Sequence, residues 1–153
     1  MALRTIGHGY KVAIIQFIKG SWTTGEEKAL KNFSSKISWH ALGEGFTWET
    51  QDRIRDEKLV LGAWQVAKKY INNESYKLII LDEINIATRL GYLPSEEIIT
   101  FLKSIKNRKN HVVLTGRGAS DSIINYADLV TEMKLIRHPF KEQGIKAQKC
   151  VEF

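Results

Sequence analysis

The residues whose types and spacing are best suited to chemistry are Asp82 and Glu83. Four apolar residues, Leu78-Ile79-Ile80-Leu81, run directly into this pair of carboxylates. An apolar strand buried in a sheet holds whatever follows it rigidly. A carboxylate held that way can bind Mg²⁺, directly or through water, beside the phosphates of a nucleotide. The plainer alternative is a strand that merely ends at the surface, where acidic residues are common, and the motif alone divides the two readings evenly. A second group is Gly45-Phe46-Thr47-Trp48-Glu49-Thr50-Gln51-Asp52, in which two large aromatics flank one threonine ahead of a long helical pattern. Such rings either anchor the helix or offer an apolar face to a flat ligand, since they bury much area at little entropic cost.

The acidic pair has the form of a Walker B strand. A Walker A segment, Gly-x-x-x-x-Gly-Lys-Ser/Thr, should precede it, and the sequence contains none. Gly20-Ser21-Trp22-Thr23-Thr24-Gly25 has the glycine spacing but continues into Glu26-Glu27. It lacks the lysine and the hydroxyl that would meet phosphate and magnesium, so it is not a P-loop.

The elements that must position these groups alternate. Lys11–Ile18 is a near-continuous apolar run interrupted by Gln16, as expected of a strand buried on both faces. Ser38–Leu42, Lys77–Asp82 and His111–Thr115 read as further strands, and Leu129–Ile136 and Lys146–Phe153 complete the set. Helical patterns lie between them: Thr24–Phe33, Gln51–Ile71 with Ile54, Leu61, Trp64, Ala67 and Ile71 on one face, a helix capped by Ser95, and Asp121–Ala127. Strand–helix alternation with apolar strands predicts an α/β domain with a parallel sheet covered on both faces. Ligands of such sheets sit at the carboxyl ends of the strands. Each strand here ends in glycine-bearing, polar or aromatic residues, so Glu83, Arg117 and the Phe46–Trp48 loop should share one rim.

Composition bounds the rest. The 153 residues, 43% hydrophobic and 26% charged, suit one globular domain spanning 1–153 and exclude a disordered or fibrous chain. No apolar run approaches the ~20 residues of a membrane span, and the N-terminus has no signal-peptide pattern. A single cysteine, Cys150, allows no intrachain disulfide, which together with the leaderless start predicts a cytoplasmic protein. The net charge of +6 is divided evenly between the halves of the chain. The only dense basic cluster, Lys103, Lys106, Arg108 and Lys109, reads as a solvated helix end rather than a nucleic-acid patch. A mildly basic cleft also suits an anionic small ligand.

Taken in order, Val12–Gly20, Gly43–Gln51, Leu81–Asn85, Leu114–Gly118, Ala127–Met133, His138–Phe140 and Gly144–Gln148 resemble the ATP:corrinoid (cob(I)alamin) adenosyltransferases of the BtuR/CobA type over essentially the whole chain. The resemblance implies a three-layer α/β sandwich with a mostly parallel sheet, P-loop NTPase-like (RecA-like), in a homodimer. It implies transfer of the 5′-deoxyadenosyl group of Mg-ATP to the Co(I) of a corrinoid, with release of triphosphate, in adenosylcobalamin synthesis or salvage. An electron-donating flavoprotein would supply the reduced cobalt, and neither nucleic acid nor membrane would be a partner. Phe46 and Trp48 would displace the lower axial ligand of cobalt and leave a four-coordinate Co(II) that is easier to reduce. Glu83, with Asp82 beside it, would serve Mg²⁺. Arg117 would lie near the phosphates, with Asn85 and Lys146 as further nucleotide contacts.

One departure from the family pattern is large. Members begin with a strand, a P-loop of the form Gly-Asn-Gly-Lys-Gly-Lys-Thr-Thr, and a helix, whereas Met1–Gly9 looks like the end of that helix. The expectation is an N-terminally truncated form of the fold, with a gap where an interior strand should be. Two function classes follow: the adenosyltransferase, or a degenerate, catalytically impaired corrinoid-binding relative without a phosphate cradle. A smaller departure is Cys150, where relatives tend to have glycine.

Overall fold

The computed structural model describes residues 1–18, 24–33, 35–42, 52–148 and 150–151. In chain order the elements are α1 (Ala2–Gly7), β1 (Lys11–Gln16), α2 (Gly25–Lys31), β2 (Ile37–Ala41), α3 (Arg53–Ile71), β3 (Tyr76–Asp82), α4 (Ile84–Arg89), α5 (Ser95–Ser104), β4 (His111–Leu114), α6 (Asp121–Tyr126) and α7 (Pro139–Gln143). The four strands form one sheet in the order β2-β1-β3-β4, and every pairing is parallel.

The central strand explains the layering. Successive side chains of a strand point to opposite faces, and β1 is apolar at every interior position. Ala13 and Ile15 join Ile79 and Leu81 on one face, beneath Val60, Ala63, Trp64, Ala67 and Ile71 of α3 and Ile98, Ile99 and Leu102 of α5. Val12, Ile14 and Leu78 occupy the other face with Ile6 of α1 and Leu30 of α2. Helices therefore cover both faces, the three-layer α/β arrangement expected from the sequence.

Several expectations are corrected. The buried stripe of α3 is Asp56, Val60, Ala63, Trp64, Ala67 and Ile71; Ile54 is 82% exposed and Leu61 38%. The stripe is set by contact with the sheet, and Asp52, which accepts from Arg55 N–H at 3.1 Å, fixes where the helix starts. Ser95 does not cap α5. It is the helix's first residue, behind Pro94, and its hydroxyl accepts from Ser120 Oγ at 2.8 Å.

Leu129–Ile136 forms no strand. Leu129 is 85% exposed, Met133 94% and Ile136 83%, because a strand needs a neighbouring edge and this segment lies outside the four-stranded sheet. Among the described residues of 146–153 there is no strand either. The expected gap is not inside the sheet: β1 and β3 are each paired on both sides, and the open ladder edges belong to β2 and β4. Cys150 has φ 74, in the left-handed region, where glycine is the least strained residue.

Candidate functional site

The site lies at the carboxyl ends of β1, β3 and β4. Asp82 is the last residue of β3, and both its oxygens are taken. Gln16 Nε2, from the end of β1, donates to Asp82 Oδ2 at 3.0 Å. Thr115 Oγ1, just past β4, donates to Oδ1 at 2.8 Å. Two neutral donors thus hold this carboxylate from the neighbouring strands on either side.

Glu83 follows in the left-handed conformation, φ 62 and ψ 19, as the residue ahead of α4. This is uncommon for a residue with a Cβ and costs about 1–2 kcal/mol, so the surroundings must hold it. They do: Glu83 N–H donates to Thr115 Oγ1 at 3.0 Å, and Glu83 C=O accepts from Ile86 N–H at 3.1 Å. Gly116 sits against it at φ +114. A Cβ on Gly116 would stand 2.9 Å from Glu83 Oε2, 3.2 Å from Glu83 Cα and 3.3 Å from Asn85 Cβ.

Asn85, in the first turn of α4, is 5% exposed. Its backbone N–H donates to Thr115 C=O at 3.1 Å, and Nδ2 donates to Gly116 C=O at 3.2 Å. Its Oδ1 is buried with no hydrogen-bond partner among the described residues. A buried orphan acceptor is costly, and two residues after Glu83 it is a hard oxygen of the kind Mg²⁺ prefers. No cluster of three His, Cys, Asp or Glu occurs among the described residues. Mg²⁺ held here would therefore draw most of its ligands from phosphate and water, the usual arrangement for this ion. The residues present fit that ion.

Arg117 is exposed in the loop after β4, between Gly116 and Gly118. Because β3 and β4 are adjacent and parallel, Glu83 and Arg117 share one rim, as expected. Leu42 leaves β2 at the same edge, where its N–H donates to Gln16 C=O at 3.2 Å. The Phe46 and Trp48 that follow lie outside the described residues. Lys146 is exposed beyond α7, and no described contact brings it to Asp82, Glu83 or Arg117.

The sequence reading assigned no role to Gln16 or Thr115. The signal for Gln16 was present as the one polar residue inside an apolar strand, since a buried amide must find a partner. Thr115 carried no comparable signal; its role depends on β4 lying beside β3.

Fold and rim together define a parallel α/β protein of the P-loop NTPase-like kind, with an acidic strand end of Walker B form. Comparison with known sequences narrows the class: the family model for "ATP:corrinoid adenosyltransferase BtuR/CobO/CobP" matches residues 1–153, and the chain belongs to that family. It is 51% identical over 154 residues to the corrinoid adenosyltransferase of a Sinorhizobium species, covering 100% of this chain and 72% of that protein. It is 48% identical over 153 residues to that of Pseudomonas aeruginosa, covering 100% and 74%. The Escherichia coli K12 protein is 36% identical over 152 residues, covering 99% and 76%.

Proposed function

We propose that this chain serves the transfer of the 5′-deoxyadenosyl group from Mg-ATP to the Co(I) of a corrinoid. The cobalt electron pair forms a bond to the ribose C5′, the C5′–O5′ bond breaks, and triphosphate leaves with the electrons of that bond. The observation that carries this reading is the strained Glu83 turn, pinned between Thr115 and Gly116 at the rim of a domain whose whole length matches the family.

Mg²⁺, when bound, supplies positive charge to the phosphates as triphosphate departs. Glu83, with Asp82 beside it, holds that ion. Asn85 Oδ1 adds a neutral oxygen. Arg117 reaches the phosphates with a fork of donors suited to them, and Lys146 is a further nucleotide contact. Phe46 and Trp48 line the lower face of the corrinoid and keep water from the cobalt. The working protein is a cytoplasmic homodimer that takes electrons from a flavoprotein and engages neither nucleic acid nor membrane. No helix among the described residues is long and apolar enough to cross a membrane.

A second reading has its own support. Residues 1–153 contain no Gly-x-x-x-x-Gly-Lys-Ser/Thr, and on this reading the chain alone binds corrinoid while holding ATP poorly, as a catalytically impaired relative. The deciding experiment assays the cobalt–carbon product with pre-reduced corrinoid and Mg-ATP. It compares the 153-residue chain with the same chain joined behind a strand, P-loop and helix of the family's form. Product from the joined protein supports the transferase; corrinoid binding without product in both supports the impaired binder.

A further inference from the structure

The hydrogen bonds beneath Glu83 pass through two side chains that have no part in the reading above. Gln16 is 4% exposed at the end of an otherwise apolar strand. A primary amide buried to that degree costs free energy unless it is paired, and the partner of its Nε2 is Asp82 Oδ2 at 3.0 Å. Thr115 is held by its own backbone: its N–H donates to Leu81 C=O at 3.1 Å, and its C=O accepts from Asn85 N–H at 3.1 Å. Its hydroxyl accepts from Glu83 N–H at 3.0 Å and has a single proton to give. That proton goes to Asp82 Oδ1, 2.8 Å away.

The direction of every bond is therefore fixed. Gln16 donates to Asp82, Thr115 donates to Asp82, and Glu83 N–H donates to Thr115. The chain ties the ends of β1, β3 and β4 together and terminates on the backbone of the residue in the left-handed conformation.

We propose that Gln16 and Thr115 are positioning residues. Thr115 holds Glu83 in its left-handed turn directly and Gln16 does so by way of Asp82, and together they aim the Glu83 carboxylate at the rim. The proposal rests on the reading that this carboxylate faces the magnesium of the nucleotide. Neither side chain touches substrate; each acts through Asp82 and Glu83. Without the Thr115 hydroxyl, Glu83 N–H loses this acceptor, and the turn, still held at Glu83 C=O by Ile86 N–H, loses one of the bonds that offset a conformation L-residues avoid.

The test uses ¹⁵N-labelled full-length chain and the variants Thr115→Val, Thr115→Ser and Gln16→Leu. It reads the hydrogen-exchange rate of the Glu83 amide, the Tm, and the Mg²⁺ concentration that half-saturates adenosyl transfer in the joined protein. Loss of a hydrogen bond of ordinary strength is worth about tenfold in an equilibrium. Thr115→Val is accordingly expected to speed Glu83 exchange about tenfold and to raise the half-saturating Mg²⁺ by a similar factor, with Ile14 in the centre of β1 unchanged. Thr115→Ser keeps the hydroxyl and should stay within about twofold of the parent in both. Gln16→Leu removes the donor to Oδ2 and should speed Glu83 exchange by a smaller factor, about threefold. If Thr115→Val does not fold, Gln16→Leu and Thr115→Ser decide the matter by the same readouts. Glu83 exchange unchanged in the variants lacking a donor overturns the proposal. So does a Thr115→Ser protein as impaired as Thr115→Val, since the loss would then reflect packing. If the parent protein forms no cobalt–carbon product, the reading of function falls alone, and the exchange rates still decide whether these residues position Glu83.

Discussion

Gly116 and Glu83 are packed so closely that a Cβ on the glycine would meet Glu83 Oε2 at 2.9 Å and Glu83 Cα at 3.2 Å. Both residues have positive φ, 114 for Gly116 and 62 for Glu83. The loop after β4 thus leans on the turn after β3, and the contact is possible only because one partner has no side chain. Gly116→Ala combines a strained backbone with a Cβ that overlaps Glu83 Oε2 and presses on Glu83 Cα. It is expected to destabilise the fold by about 1–3 kcal/mol and to impair Mg-ATP-dependent turnover more than stability alone explains. Urea unfolding and product formation, measured on the same protein, check this. A variant of parental stability and activity would show that the loop can move away.

Tyr92 and Asp56 supply a second prediction. Both are buried, at 8% and 6% exposure. Burial, followed by the charge of Asp56, pushes the Tyr92 hydroxyl pKa above its usual value, and the two side chains share a hydrogen bond. The pair ties the first turn of α3 to the chain after α4. Tyr92→Phe removes a donor from a buried carboxylate and should cost about 1–3 kcal/mol, read as a lower urea midpoint with an unchanged slope.

His40 gives a pH dependence. Burial lowers its pKa below 6.5, and the half-buried ring shares a hydrogen bond of 2.7 Å with the Tyr70 hydroxyl. The unfolded chain takes up a proton near the ordinary histidine value, whereas the folded chain does so only at lower pH. The unfolded state therefore binds more protons in that window. The contribution is fully present above the ordinary value and is lost as pH falls from there through the folded-state pKa. The Tm should drop between about pH 7 and pH 5, and the drop should be smaller in His40→Gln. Equal drops in both proteins would remove His40 as the cause.

The nucleotide supplies a fourth prediction. Glu83, Asp82 and Arg117 are present, but no Gly-x-x-x-x-Gly-Lys-Ser/Thr accompanies them in residues 1–153. Several charge-assisted hydrogen bonds to phosphate, each worth roughly 1.5–3 kcal/mol, are then missing. Calorimetry should find Mg-ATP binding to the 153-residue chain weaker by several decades than to the chain joined behind a P-loop segment. Corrinoid binding, which draws mainly on buried apolar area, should lose less. Equal Mg-ATP affinity would mean that another element cradles the phosphates.

The sequence by itself determined the parallel α/β class, the four strands of the sheet to within two residues at either end, and the rim shared by Glu83 and Arg117. These follow from local properties: an apolar run marks a strand buried on both faces, and strand–helix alternation makes neighbouring strands parallel, so their carboxyl ends fall on one edge. Tertiary structure alone decided the rest. Whether Leu129–Ile136 pairs depends on a neighbouring edge that the segment itself does not carry. Ile54 and Leu61 read as core by spacing, yet the buried stripe of α3 is set by where Ala13, Ile15 and Ile79 lie beneath it. Gln16, Asp82 and Thr115 are far apart in the chain and meet only because β1 and β4 flank β3. The left-handed turn of Glu83 follows from that meeting, since its N–H is held by a hydroxyl from another strand and no local propensity of glutamate favours such a backbone.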